Sequence, residues 1–426
     1  MLVQRDIGVE HGVVTDSDVV AGHSRGTAAY RRLVAAVWAA GVGSFALLYA
    51  PQALLPLISR DLDVSPATAA LLVSVTTGTL ALALIPMSHL ADRVGRTRLM
   101  TFSLLTAAVL GLLLPVAPSI ELLLLLRAAQ GVAIAGLPAL AMAHVGEEVR
   151  PSAVGAAMGL FVAGNTFGGL SGRVLSSAVA DVAGWRAGLA VVGALALLCV
   201  VAFRALLPPP AARPTPGSTA STLGHLGLHL RDPGVRRLCL SSFVLMAAFV
   251  TVYNFLGYRL LAEPFLLSPL MVGLVFLAYL AGTTSAPVAG RLGDRFGRRV
   301  VLVTGVLLCL GAALLTLFDV LAVVLTGIVL FTVGFFVAHT SASGMVGNRA
   351  KVGRAQASAL YLLAYYAGSS IGGWVGGLAF ESGGWPAVVG YVAGLLAVAV
   401  VLALLLLLRT PPLAPSLSGP PDAGRS

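Results

Sequence analysis

The sequence predicts an all-α integral membrane protein, with twelve transmembrane helices arranged as two pseudo-symmetric six-helix bundles. Three observations carry that expectation. The composition is too apolar for a water-exposed surface: of 426 residues 58% are hydrophobic and 10% charged, and mean hydropathy is +0.95. The apolar residues fall in runs of about 20, the length at which a helix rising 1.5 Å per residue crosses about 30 Å of hydrocarbon while satisfying its own backbone. One short loop is also written twice, as Ala91-Asp92-Arg93-Val94-Gly95-Arg96 and Gly293-Asp294-Arg295-Phe296-Gly297-Arg298, about two hundred residues apart.

Apolar stretches bounded by charges, prolines and turns place the spans at 33–57, 67–88, 99–117, 120–145, 153–180 and 186–207, then at 237–260, 269–290, 300–318, 320–347, 355–380 and 386–408. The chain then divides into an N-terminal tail at 1–32, a first bundle at 33–207, a linker at 208–236, a second bundle at 237–409 and a C-terminal tail at 410–426. The first thirty residues carry His11, Asp16, Asp18 and Arg25 without an early apolar core, which reads as a tail and not a signal peptide. Pro208-Pro209-Pro210, Pro214 and Pro216 mark the linker, whose Leu226/Leu230 face is expected to lie along a leaflet. Cys199, Cys239 and Cys309 sit in or beside apolar runs at no metal-ligand spacing and read as packing residues.

Orientation follows from the cations, because Lys and Arg in short loops are retained on the cytoplasmic side. Arg93, Arg96, Arg98, Arg150, Arg204, Arg213, Arg231, Arg236, Arg237, Arg291, Arg295, Arg298, Arg299, Arg349, Lys351 and Arg354 all fall on one side of the expected topology. The other side holds Arg60, Arg186 and Arg259 among Asp61, Asp63, Asp181, Glu263, Asp319 and Glu381. Both termini and the linker are therefore expected in the cytoplasm of a cell whose inner membrane the chain crosses. The formal charge of +10 is mostly topology. Nucleic-acid binding is disfavoured because the arginines are scattered over separate loops without interleaved exposed aromatics. With no phosphate-binding loop, nucleophile elbow or metal-ligand cluster, the chain is not expected to be an enzyme or to need a cofactor or metal.

The repeat reaches beyond the loop. Gly168-Gly169-Leu170-Ser171-Gly172 aligns with Gly372-Gly373-Trp374-Val375-Gly376, and Gly184-Trp185 with Gly384-Trp385. Small residues at this spacing permit close helix approach and smooth sliding contacts. Parallel six-helix repeats are the plan of alternating-access carriers with a midplane site between the halves. On these residues the chain resembles the major facilitator superfamily over about residues 30–409, the duplicated loop standing for its G-x-x-x-D-R-x-G-R-R motif. Arg127-Ala128-Ala129-Gln130-Gly131 in span 4 matches the R-x-x-Q-G motif of the drug and small-molecule proton-antiporter branch, and the Gly164 to Arg173 stretch resembles its YnfM-like exporters. Two departures stand out: Ser88 where the loop motif prefers Gly, and Phe167-Gly168 where drug antiporters carry Gly-Pro.

That resemblance implies export of a small organic compound by proton antiport, from a monomer whose partners are its substrate, protons and the lipid bilayer. The alternatives are a facilitator or importer of a sugar or organic acid, or a non-transporting membrane receptor on the same fold. It also implies a conformational latch of Asp92, Arg93, Arg96, Asp294, Arg295 and Arg298, with Asp92 bracing span 2 against span 11 in an outward-open state and Asp294 bracing span 8 against span 5.

Arg127 and Arg173 are cations inside spans, which must face a cavity or a partner because a bare charge in hydrocarbon costs several kcal/mol. Arg127, about 12 Å deep at helical rise, is expected to act in proton or conformational coupling, or to bind Gln130, backbone carbonyls or Glu121. For Arg173, snorkelling to water competes with a functional role. No span carries a mid-membrane carboxylate, which leaves Glu121 and His339 as coupling candidates. The superfamily's cavity lies mainly between spans 1, 4, 7 and 10, and polar or aromatic residues there and on neighbouring spans are Tyr49, Gln52, Asn165, Tyr253, Asn254, Tyr279, Tyr361, Tyr365 and Trp374. Tyr49-x-x-Gln52 and Tyr253-Asn254 occupy pseudo-equivalent outer halves of spans 1 and 7. So apolar and aromatic a lining suits hydrophobic or amphipathic solutes better than sugars.

Overall fold

The computed structural model describes residues 22–209, 227–350 and 352–409. Leu226, Arg213 and Lys351, most of both tails and most of the linker lie outside the described residues. Among the described residues ten helices are long and apolar enough to cross a membrane, and two of them contain internal breaks, so that path crosses twelve times. The first bundle consists of α1 (Ala28–Ala53), α2 (Pro66–Val94), α3 (Arg96–Val116), α4 (Ile120–Glu148), α5 (151–183) and α6 (185–206). The second consists of α7 (Pro233–Leu261), α8 (Pro269–Phe296), α9 (Arg298–Leu315), α10 (Leu321–Arg349), α11 (354–382) and α12 (385–409).

The two broken helices show why the Gly-Trp repeat exists. Pro151–Leu206 runs 56 residues, which as one straight helix would be about 84 Å long, far more than a bilayer. At Gly184 the backbone takes φ 80° and ψ 167°, and at Gly384 φ 62° and ψ −149°, conformations closed to side chains with a Cβ. Each break reverses the chain at the membrane edge. The duplicated loop is matched just as closely: Gly95 and Gly297 end α2 and α8 at φ 94° and φ 90°, each with its N–H on the carbonyl four residues back. Ser65-Pro66 and Ser268-Pro269 start α2 and α8 in the same way, the serine hydroxyl capping the third residue's N–H and proline filling the first helical position.

The glycine runs make the close helix approach the sequence suggests, mostly within one half. Gly164 and Gly172 of α5 lie so close to α1 that an added Cβ would come 2.7 Å from the carbonyls of Trp38 and Ala46, and Gly168 lies against Val42. In the second half Gly368, Gly372 and Gly376 of α11 meet Phe243, Ala247 and Thr251 of α7. These seams lie within each half and fuse it into a rigid body. The next register of α11 faces the other half, Gly373 against Ser74 and Gly377 against Ala67 of α2. One helix therefore serves both seams, because residues one apart point about 100° away from each other.

Three of the spans that line the cavity depart from a regular α-helix. Pro51 ends α1 in a 3-10 turn, Pro138 breaks α4 after Ala135, and α8 breaks at Phe276-Leu277. Irregular backbone inside a bilayer is tolerated only where protein or a cavity covers it. The described end of the linker docks beneath the second half, where the His229 ring nitrogen meets Gly353 O at 3.0 Å while Leu228 and Leu230 remain exposed.

Candidate functional site

Between the halves lies a cavity of about 450 Å³. Phe45 and Tyr49 of α1 with Asn165 and Arg173 of α5 form one wall; Phe249 of α7, Tyr279 of α8, Phe335, Phe336 and His339 of α10 and Tyr365 and Tyr366 of α11 form the other. Met142, Thr340 and Ser343 line it toward the end of the bundles that carries the two duplicated loops. The opposite end is shut. There Gly273 of α8 packs on Ser177 of α5, the Tyr258 hydroxyl donates to Leu55 O at 3.1 Å, and Glu381 Oε1 accepts the Ala67 N–H at 2.9 Å. All three contacts join one half to the other. Glu381 sits at the first turn of α2, where unpaired N–H groups and the helix dipole favour a carboxylate.

Arg173 forms the closed end of the cavity and is 2% exposed. Its Nε donates to Gln52 Oε1 at 2.8 Å, one terminal nitrogen to Gly169 O at 2.8 Å and the other to the Tyr279 hydroxyl at 3.2 Å. The guanidinium lies 4.4 Å from the ring centre of Tyr49, 5.0 Å from Phe276 and 4.7 Å from Tyr279. These contacts stabilise a cation held out of water. Gln52 Nε2 in turn donates to Asn254 Oδ1 at 2.7 Å, so a polar chain runs from α5 through α1 into α7. Snorkelling is thus ruled out for this conformation: Arg173 turns inward because the broken ends of α1 and α8 provide its polar and aromatic partners.

The opposite wall is an aromatic stack. Phe249 lies 3.8 Å from Phe335, centre to centre, and 5.4 Å edge-on from Tyr279. Phe335 stacks on the His339 ring at 5.6 Å, and His339 Nδ1 meets the Tyr361 hydroxyl at 3.0 Å. Tyr253 is buried behind this wall with its hydroxyl 2.6 Å from Thr332 Oγ1, 4.8 Å from the Tyr279 ring. Among the expected cavity residues, Tyr49, Asn165, Tyr279 and Tyr365 line the cavity, while Gln52, Tyr253, Asn254 and Tyr361 stand directly behind it. Trp374 is 43% exposed and turned away, since its neighbour Gly373 occupies the inward register.

Arg127 does not share this cavity. It is fully buried inside the first half, donating from Nε to Leu72 O at 2.8 Å and from its terminal nitrogens to Leu47 O at 2.9 Å, Leu48 O at 2.7 Å and Gln130 Oε1. Leu47 O is available because its helical donor would be Pro51, which has no N–H. Gln130 passes the chain on to Ala107 O at 2.9 Å. The R-x-x-Q spacing places both side chains on one face of α4, and together they tie α1, α2 and α3 to α4. Of the three partners the sequence offers Arg127, it takes Gln130 and backbone carbonyls and not Glu121, which is exposed in the first turn of α4, because Arg127 reaches the break in α1.

The six latch residues make no contact between the halves in this conformation. Asp92 and Arg93 are exposed, Arg96 forms an ion pair with Glu147 at the end of α4, Asp294 meets Arg298 at 3.2 Å and Arg295 lies over Phe296. Asp92 pairs with neither Arg93 nor Arg96 here, Arg96 being held by Glu147 of the same half instead. Of the two buried cations the sequence singles out, Arg173 is the one on the cavity, while Phe249, Phe335 and Phe336 of its wall were not anticipated. The signal for Arg173 was present as a cation within an apolar run; the phenylalanines had none, since an apolar span gives no reason to prefer one face.

Comparison with known proteins agrees with this architecture. The family model of the Major Facilitator Superfamily matches twice, over residues 37–258 and 238–426. The chain is 40% identical to an uncharacterized MFS-type transporter, YybF, of Bacillus subtilis, over 88% of this chain and 93% of that protein. It is 39% identical to the inner membrane transport protein YnfM of Escherichia coli, over 88% and 91% of the two chains. Among solved structures, a bacterial homolog of the human lysosomal transporter Spinster, in an inward-facing and unoccupied conformation, superposes with a TM-score of 0.71 at 17% identity, over 89% of this chain and 95% of that one, which speaks to fold alone. Duplicated loops, two six-helix halves, a cavity between them and these matches together show that the chain is a multi-pass secondary transporter belonging to the major facilitator superfamily.

Proposed function

We propose that the chain exports a small, largely hydrophobic organic compound across the inner membrane in exchange for protons, by rocking its two halves about the cavity. The observation that carries this reading is the cavity itself, lined from both halves and shut at one end by contacts that join the halves, which leaves the end with the duplicated loops as its way in. The open face is the cytoplasmic one, as the crowding of arginines there argues, so both termini and the linker belong inside. Asp92 and Asp294 with their arginines latch that face once the cavity has tipped outward. His339, on the cavity wall and hydrogen-bonded to Tyr361, is the titratable group on which proton exchange rests; Glu121, exposed and far from Arg127, has no comparable support.

The test uses purified protein in liposomes containing a pH-sensitive dye, with a proton gradient imposed and lipophilic cations, neutral compounds, sugars and organic acids added in turn. Solute-triggered proton movement that is lost in His339→Gln protein supports antiport. One observation favours a second reading: among the described residues no Asp or Glu lines the cavity, which suits a facilitator that carries its solute without protons. Solute flux with no proton movement decides for it.

A further inference from the structure

Arg173 is the only Arg, Lys, Asp or Glu lining the cavity among the described residues, and no carboxylate pairs with it. Arg127 provides the comparison within the same protein. There the guanidinium is wrapped by three carbonyls and Gln130, and it lies off the cavity, as a purely structural cation should. Arg173 has three hydrogen bonds for the five N–H donors of its fork, which leaves one donor on each terminal nitrogen. Donors on two nitrogens of one planar guanidinium can serve the two oxygens of a carboxylate. Uncompensated positive charge in a low-dielectric pocket attracts an anion and repels a cation more strongly than it would in water. Below the fork, the Phe249, Phe335 and Phe336 rings offer an apolar wall to whatever body that anion carries.

We propose that the cavity takes an amphipathic organic anion, with its carboxylate on the two free donors of Arg173 and its apolar or aromatic body against Phe249, Phe335 and Phe336. This rests on the transport reading above and adds the substrate class. The Tyr49, Phe276 and Tyr279 rings hold the guanidinium in place before the ligand arrives, so little ordering is needed on binding.

Three probes with one skeleton separate the possibilities: phenylbutyrate, its neutral amide and the corresponding phenylbutylamine. Binding to purified protein is read from the thermal shift, and transport from counterflow in liposomes. The expected result is that the acid stabilises the protein and exchanges, while the amide binds about tenfold more weakly or worse and the amine not at all. Arg173→Gln should bring the acid down to the level of the amide, and Arg173→Lys should restore part of the difference. The head-group series on unaltered protein stands by itself if Arg173→Gln fails to fold. Equal binding and exchange of amide or amine would overturn the anion while leaving a transporter. Exchange of a sugar with none of the three would do the same. No exchange of any solute under any gradient would remove the transport reading together with the proposal.

Discussion

Removing the Glu381 carboxylate should open the closed face. Its Oε1 accepts the Ala67 N–H at 2.9 Å, a charge-assisted bond from the second half onto the first turn of α2. Such a bond contributes about 1.5–3 kcal/mol when buried. Glu381 is exposed, so solvent and salt reduce this to about 1 kcal/mol, in the range of surface charges at helix termini. That difference is a factor of about five in the ratio of the two end states. Asp181 is the matched control, since it lies three residues before Gly184 as Glu381 lies three before Gly384, is equally exposed, and contacts no other half. With spin labels at Asp63 and Ala262, electron resonance distance distributions for Glu381→Ala should gain a longer separation about five times more populated than in the parent. Asp181→Ala should leave the distribution alone. An unchanged distribution for Glu381→Ala, or the same change from both variants, would refute the argument that this bond closes the face.

Arg127→Met should cost folded protein and not only flux. It strands the carbonyls of Leu47, Leu48 and Leu72 and the Gln130 amide, at about 1–3 kcal/mol for each acceptor left dry, and gel filtration of the solubilised variant is expected to show aggregation. Asp92→Asn should abolish flux while leaving the melting temperature within a degree or two, because the side chain is exposed and contact-free here; full transport by that variant would remove it from the latch. Asp232 caps α7, accepting Gly234 N–H at 2.7 Å and Arg349 Nε at 2.8 Å. Partial burial pushes its carboxyl up, but the Arg349 and Gly234 hydrogen bonds outweigh burial and hold it below the ordinary carboxylate range. A depressed folded-state value means the contact stabilises fully above an unfolded value of about 3.9 and is lost as pH falls through the lower one. Asp232→Asn should therefore lose roughly 1 kcal/mol at neutral pH and show a flatter melting temperature below about pH 4 than the parent.

Much of the fold was legible because it rests on local, additive quantities. Span length follows from summed transfer free energy along about 20 residues, and the repeat follows from copying, so Asp92 and Asp294, Gly95 and Gly297, and Gly184 and Gly384 could be paired without coordinates. The Arg127 and Gln130 pairing was legible for the same reason, being three residues apart on one helix. The site was legible only where polarity was rare enough to stand out, as at Gln52 and Asn254, which the structure joins across 202 residues of chain.

The tertiary structure decided the rest. It settled that Arg173 ends the cavity while Arg127 does not, that the glycine seams lock each half from within, and that Glu381 closes the opposite face. It also put Trp374 outside and chose Gln130 and backbone carbonyls over Glu121 as the partners of Arg127. The physical reason is that a helix in lipid is apolar all round. In water the polar side of a helix shows which side faces the core, but here lipid, neighbouring helix and cavity wall are all lined by the same leucines, valines and phenylalanines. The sequence by itself determined how many times the chain crosses and that it does so in two copies; which face of each crossing looks inward was decided only by how the twelve helices pack.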